Sequence, residues 1–302
     1  MYNFEDLIEN VVLPGLEKTK LVLPWEDMKR MFSFQVANDG GDRIQKKIQV
    51  TNPTNARNFT KADVHPTSPT PTYVNAHWLH KYSESAFEVH QIDMNQAMGR
   101  GDVAVENLLT DAMSDCYENL INLLFANFYA RIKADLLQAG TYSDAALNRA
   151  TYTALAVTNE TTATPLTYGL IRQMRNDVTN DSPVGGNAPA EYMWMVENTA
   201  FDTLEPELAV LTNWNANNDG VPKDAGWAPI GKIQGVDTMK LNGMTDGDVF
   251  FLRKKDVHIE EHMPRTVEYV DPGRFAIKGI MRIGVTSWVE KTWAHGLMTN
   301  KT

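Results

Sequence analysis

Two histidines bracket a pair of glutamates in His258-Ile-Glu-Glu-His262, the H-x-x-E-H spelling used by some zinc peptidases. That pattern works on a helix, where side chains four residues apart converge on one ion. Here Asp248 to His262 reads as strand, Pro264 follows almost at once, and only forty residues remain downstream to supply a third ligand. On a strand His258, Glu260 and His262 share one face, which suits a wet surface or an interface. A metal-dependent hydrolase using His258 and His262 is the alternative from a different functional class. His77 and His80 have helix-like i, i+3 spacing, but two histidines do not make a catalytic zinc site, and a polar surface or interface pair is the plainer reading.

Cys116 is the single cysteine. A nucleophilic thiol needs exposure and positive surroundings, whereas Cys116 sits between Met113 and Leu120 with Asp111, Asp115 and Glu118 nearby. It reads as a core residue. No G-x-S-x-G elbow, phosphate-binding P-loop or G-x-G-x-x-G turn occurs. Arg100-Gly101-Asp102 is a helix start, and the Asn-x-Ser/Thr triplets at Asn58, Asn159 and Asn180 carry meaning only in a secreted chain. The sequence therefore assigns no catalytic, cofactor-binding or metal-ligating residue, and the expectation is a protein that is not an enzyme.

Composition agrees. The 302 residues are 43% hydrophobic and 22% charged, as expected for a globular chain. One cysteine excludes an internal disulfide framework. The N-terminus lacks the basic and apolar regions of a signal peptide, and no stretch has the length of apolar residues that a membrane helix needs. A soluble, intracellular protein with no membrane role is expected. The net charge of −10 lies in the middle of the chain: residues 1–100 carry 11 basic and 12 acidic side chains, 101–215 carry 5 and 15, and 216–302 carry 12 and 11. A sequence-independent nucleic-acid binder needs the opposite sign, because its affinity comes from counterions released by Lys and Arg. The acidic middle serves solubility, or it repels nucleic acid enclosed nearby.

Phe4, Leu7, Ile8, Val11 and Val12 recur at helical steps until Pro14-Gly15 stops them. A looser apolar stretch runs from Leu21 to Phe34. Residues 44–51 alternate as a strand with one wet face, and Pro66, Pro69 and Pro71 then exclude both helix and central strand. Tyr73 to Trp78 and Ala86 to Ile92 resume an extended pattern. Residues 44–92 read together as a long two-stranded arm, which buries too little by itself and needs a surface to lie on.

The strongest element follows. Gly101-Asp102 supplies an N-cap, and Val105, Leu108, Leu109, Ala112, Met113, Cys116, Tyr117, Leu120, Leu123, Leu124, Phe128, Ile132 and Leu136 form one apolar stripe. Asp111, Asp115, Glu118, Asn122, Arg131 and Asp135 fall off it. A run of about 38 residues to Ala139-Gly140 would span roughly 57 Å, longer than the roughly 50 Å diameter of a compact globule of this size. An elongated subunit is implied. After a connecting region at 141–165 come a helix from Leu166 to Val178, a buried strand Tyr192–Val196, a helix from Thr199 to Leu211 capped by Asn198, an extended stretch Ile230–Leu241, and turns at Asn242-Gly243 and Asp246-Gly247. The strands Asp248–Leu252, Asp256–His262, Thr266–Val270, Phe275–Ile283 and Gly284–Trp293 close the chain. The class is α+β.

This order of elements resembles the major capsid proteins of tailed bacteriophages, the Hong Kong 97-type fold. Tyr192-Met-Trp-Met-Val-Glu-Asn198 looks like that family's axial-domain strand leading into a helix. Ile230 to Val236 through Asp246 to Leu252 looks like its return to the peripheral domain, and His258 to Val270 with Ala276 to Trp288 resembles the closing strands. The resemblance implies an N-terminal arm at 1–43, an extended loop at 44–98, a spine helix with the first part of the peripheral domain at 99–165, an axial domain at 166–250 and the peripheral closing strands at 251–302.

The same resemblance implies a structural subunit that self-assembles into pentamers and hexamers of an icosahedral phage head around double-stranded DNA, which it encloses without sequence-specific binding. A virion location, assembly in the host cytoplasm, no cofactor, and a separate scaffolding protein, a portal and decoration proteins as partners follow from it. The first helix leads almost directly into the arm, so no room is expected for the N-terminal scaffolding region that family members often carry: either a separate scaffolding protein assists or the sequence is the mature form. An encapsulin-like nanocompartment shell, enclosing enzymes instead of DNA, shares the fold and is the nearer alternative.

Overall fold

Helix α1, Asp102–Leu136, runs for 35 residues, about 52 Å at 1.5 Å per residue. Its buried positions Leu109, Met113, Cys116, Tyr117, Leu120, Ile121, Leu124, Phe128, Ile132 and Leu136 keep the three- and four-residue steps of one face. The buried face differs from the sequence reading: Ile121, Tyr129 and Asp135 join it, and Leu123 is 42% exposed. Asp135 can be buried because it has charged and backbone partners. The helix also ends before Gly140. The buried Arg149 donates to the carbonyls of Asp135, Leu137 and Leu155, so a guanidinium satisfies the terminal carbonyls and opposes the negative end of the helix dipole. The structure is a computed structural model that describes residues 28–37, 41–49, 73–90, 92–93, 102–152, 155–181, 191–210, 231–241, 243–270 and 276–301. The expected helix at 4–12 and the proline-bearing stretch at 64–72 lie outside the described residues.

The chain divides into two compact units. The first comprises 1–40, 80–129 and 259–287. Its sheet has the order β1-β12-β13-β4, built from β1 (Ser33–Val36), β4 (Tyr82–His90), β12 (Val257–Val270) and β13 (Ala276–Val289). β4 and β13 run antiparallel, pairing Tyr82 with Gly284 and His90 with Ala276. One face buries Phe87, Val89, Met281 and Ile283, and Cys116 of α1 reaches Ser85 and the Met281 backbone. Phe32 packs on Phe128 at 5.3 Å, and the Arg265 guanidinium lies 5.2 Å from the Tyr117 ring centre. The other face is charged: Arg282 holds Glu84 at 3.2 Å and also Glu268, and Lys278 holds Glu88 at 2.9 Å. Each long strand is continuous where the sequence suggested two.

The second unit comprises 41–79, 130–258 and 288–302. Its six-stranded sheet has the order β7-β14-β11-β8-β10-β9, with β7 (Thr158–Glu160), β8 (Tyr192–Glu197), β9 (Gly231–Ile233), β10 (Val236–Leu241), β11 (Val249–Arg253) and β14 (Gly296–Met298). β8 pairs β10 in parallel and β11 antiparallel, so the sheet is mixed. Every residue of β8 and of β11 is buried, which is why these strands read as continuous apolar runs rather than alternating ones. Helices α2 (Tyr168–Asp181) and α3 (Asn198–Val210) share a core with them through Ile171, Met174, Val178, Trp194, Phe201, Leu204 and Phe251. Of Ile230–Leu241, read as one extended stretch, the described residues 231–241 form a β9–β10 hairpin. Gln234 and Gly235 both take positive φ (54° and 78°), as a two-residue type I′ turn requires.

A second core lies under a ribbon. β2 (Arg43–Gln49) and β3 (Tyr73–Leu79) are antiparallel, from Arg43 opposite Leu79 to Gln49 opposite Tyr73. Ile44, Ile48, Ala76 and Trp78 pack with Leu155, Trp288 and Tyr142, the last on the short antiparallel pair β5 (Thr141–Tyr142) and β6 (Leu147–Asn148), with the Trp78 and Trp288 rings stacked at 5.6 Å. The base of the ribbon thus has its apolar partner in its own chain. The stretch 73–92 is not one strand of the arm. It breaks after Leu79, and β4 pairs with β13 instead.

Candidate functional site

His258 and His262 lie four residues apart on β12, about 13 Å at the rise of a strand. They also belong to different units. In the second unit His258 stacks on Trp288 (5.1 Å between ring centres, 13° between planes) and places Nε2 3.0 Å from Glu290 Oε2. That bond, with the positive charges of His258, Lys291 and Lys46, holds the Glu290 carboxyl below its ordinary range despite burial. In the first unit His262 stacks on His80 at 4.0 Å. His77 stands on β3, where its carbonyl accepts from the Asp144 N–H. Four residues of strand keep His258 and His262 from converging on one ion. Among the described residues no group of three or more His, Cys, Asp or Glu side chains is placed to hold a metal.

Cys116 is buried, and burial raises its thiol pKa despite the hydrogen bond with Ser85, so it is a poor nucleophile. The buried charges of the second unit do structural work. Lys133 reaches Asp248 at 2.7 Å. Glu197 Oε2 accepts from the N–H groups of Thr199, Ala200 and Gly247. Glu197 therefore caps α3, the role the sequence suggested for Asn198, because a carboxylate from the last residue of β8 reaches both free amides and suits the positive end of the helix. The buried Lys301 donates to the Thr162 carbonyl and to Thr164 Oγ1 and lies 3.5 Å from Glu160. Every one of these charges has a partner inside the chain.

What the geometry leaves available is edge and surface. Among the described residues β1 and β4 are the edges of one sheet, β7 and β9 the edges of another, and β2–β3 stands as a ribbon of two strands. Edge strands offer backbone groups to an incoming chain. Large apolar side chains lie exposed on or beside them: Val36 at the end of β1, Tyr73 and Leu79 at the two ends of β3, Tyr82 at the start of β4, and Ile92. Periodicity could not flag these, because a strand with one wet face shows the same alternation whether the wet face meets water or a partner.

No protein-family profile matches the sequence, and no curated protein is similar to it. Solved structures are. The capsid asymmetric unit of cyanophage A-1(L) aligns with a TM-score of 0.68 at 13% identity, over 93% of this chain and 94% of that one. The capsid of a native GTA particle aligns at 0.60 and 12%, over 94% and 91%. A virus-like particle from Pyrococcus furiosus aligns at 0.52 and 9%, over 92% and 96%. The chain has the fold of phage capsid proteins, along nearly its whole length. The α+β architecture and the capsid resemblance read from the sequence both agree with that fold.

Proposed function

We propose that this chain is a shell subunit, the major capsid protein of a phage head. The observation that carries the reading is the fold shared with phage capsids over more than nine-tenths of the chain. In this reading the subunit assembles into pentamers and hexamers of an icosahedral shell around double-stranded DNA, inside the host cytoplasm, with a separate scaffolding protein, a portal and decoration proteins as its partners. Open edges and exposed apolar side chains suit heterologous contacts that close into rings. Of the N-terminal arm at 1–43 and the extended loop at 44–98, the parts outside β1–β4 are the segments we assign to neighbours, and the axial and peripheral parts we assign to 166–250 and 251–302. The acidic residues of 101–215 keep enclosed DNA from adhering. We read the protein as non-enzymatic, its charges being spent on internal pairs.

A nanocompartment shell is the second reading, favoured by the likeness to the Pyrococcus furiosus particle. Negative-stain microscopy with light scattering on untagged protein tests the class: shells, tubes or capsomer rings support it, whereas a uniform monomer carrying stoichiometric zinc overturns it. Nuclease-protected DNA in particles isolated from the native source supports the phage head, and packaged enzyme in place of DNA supports the nanocompartment.

A further inference from the structure

One side chain of the first unit spans three strands. Gly284 of β13 pairs with Tyr82 of β4, and a Cβ on Gly284 would fall 2.5 Å from His262 Nε2. The missing side chain leaves room for the His262 ring of β12 to lie over β13 and reach β4. There it stacks on His80 (4.0 Å, 26°) and meets Tyr82 edge-on (4.9 Å, 89°). His80 Nδ1 is shut off from water with no hydrogen-bond partner. The adjoining backbone is fixed by Lys81 N–H to Thr286 Oγ1 at 3.2 Å and by Val285 N–H to the Lys81 carbonyl at 3.0 Å. Ring contact between two imidazoles is thus part of what holds the start of an edge strand.

We propose that the His80–His262 stack is an acid-sensitive latch: protonation of His262 separates the rings and releases the first residues of β4 from β13. The proton must go to a ring wedged between a tyrosine, a glycine and another imidazole, where its charge is poorly solvated. The groups around it can be named. β4 and the residues before it present Tyr82, His80 and Lys81; β13 presents Gly284, with Arg282 further along already held by Glu84 and Glu268; β12 itself carries Glu260 and Pro264 on the same face. Burial first, and then the charge of His80, lower the His262 pKa to about 4, opposed only by the Glu260 backbone.

The sign follows from linkage. The attached state prefers a neutral ring, so attachment is complete above the free-imidazole pKa of about 6.5, weakens as pH falls from there to about 4, and levels off below. One proton of difference gives at most about tenfold per pH unit, or about 300-fold across that window. Water reaches part of the ring and screens it, which reduces the effect to the order of tenfold to a hundredfold.

The latch goes beyond the shell reading and does not depend on it. Hydrogen exchange with mass spectrometry on the full chain, corrected for intrinsic rates, tests it at pH 7, 6, 5 and 4. Protection of the β4 amides should fall by tenfold or more between pH 6.5 and 4. His262→Phe keeps a stacking ring without a proton site and should flatten that dependence. Unchanged protection to pH 4 in the natural protein, or an equal fall in His262→Phe, would overturn the latch. His80→Phe provides a second reading of the same contact and should shrink the loss, and an unchanged loss there overturns the proposal as well.

Discussion

The backbone N–H of Val289 donates to the carboxylate of Asp135 at 3.3 Å across 154 residues of sequence. Asp135 also holds Arg131 at 2.9 Å, Arg131 reaches Asp144 at 2.7 Å, and Asp144 accepts from the Leu79 N–H at 2.8 Å. The last turn of α1 is thereby tied to the end of β13 and to the end of β3. The Tyr142 hydroxyl adds a bond to the Val289 carbonyl at 2.5 Å. Three elements distant in sequence share one buried polar cluster, so a change at its centre is felt by all of them.

Asp135→Ala tests that cluster. The substitution leaves the Val289 amide without its acceptor and removes one of two carboxylates facing Arg131. Breaking a buried pair from one side costs about 3 kcal/mol, so the urea midpoint of the second unit should fall clearly. Asp135→Asn keeps an acceptor for Val289 and should lose about half as much. A midpoint for Asp135→Ala equal to that of the natural protein would show that the cluster contributes nothing net.

Gly247 and Gly243 form a matched pair. Both take positive φ (76° and 82°). A Cβ at Gly247 would stand 2.5 Å from the Lys301 backbone nitrogen, whereas at Gly243 nothing lies within 4 Å. Gly243→Ala should therefore cost only the left-handed strain, about 1 kcal/mol. Gly247→Ala should cost about 2 kcal/mol or more, because it also pushes back the residues after β14, whose Lys301 N–H donates to the Gly247 carbonyl at 3.0 Å. Equal melting temperatures for the two variants would remove the steric part of the argument.

Long periodic elements were legible in the sequence because burial repeats with the geometry of the chain: α1, β8 and the turns at Gly243 and Gly247 all announce themselves locally. What was not legible depends on partners distant in sequence. Asp135 looks like a surface residue until Arg131 and the Val289 amide enclose it, and Glu197 looks like a strand end until it caps α3. The type I′ turn at Gln234-Gly235 was missed because glutamine at positive φ is uncommon. The histidines were misleading in pairs: sequence spacing grouped His258 with His262 and His77 with His80, while stacking across the sheet groups His80 with His262 and sets His258 on Trp288.

His295 should give the second unit an acid-dependent stability. It is fully buried, its Nδ1 accepts from the Arg253 N–H at 3.2 Å, and burial with the charges of Arg253 and His258 lowers its pKa to about 3. The folded state keeps it neutral while the unfolded state takes up a proton below about 6.5. Its contribution is complete above that pH and is lost as pH falls toward 3, at about 1.4 kcal/mol per pH unit and up to about 5 kcal/mol in all. His295→Asn retains an acceptor without a titrating group. Urea midpoints read by tryptophan fluorescence from pH 7 to pH 4 should fall less steeply in that variant, and parallel lines for the two proteins would sink the assignment.

Removing residues 60–72 separates folding from assembly. The stretch lies between β2 and β3, outside the described residues, while the ribbon's core residues Ile44, Ile48, Ala76 and Trp78 lie on either side of it and remain. Ten residues, 50–59, would still join Gln49 to Tyr73, which is ample for an antiparallel pair, and a shorter loop closes at slightly lower entropic cost. The subunit should therefore melt cooperatively at nearly its natural temperature. If the extended loop lies on a neighbour in the shell, light scattering and microscopy of the same variant should show particles abolished or greatly reduced. An unfolded variant would place the stretch in the subunit's own core, and a folded variant that still forms normal shells would remove the loop from the contacts that build them.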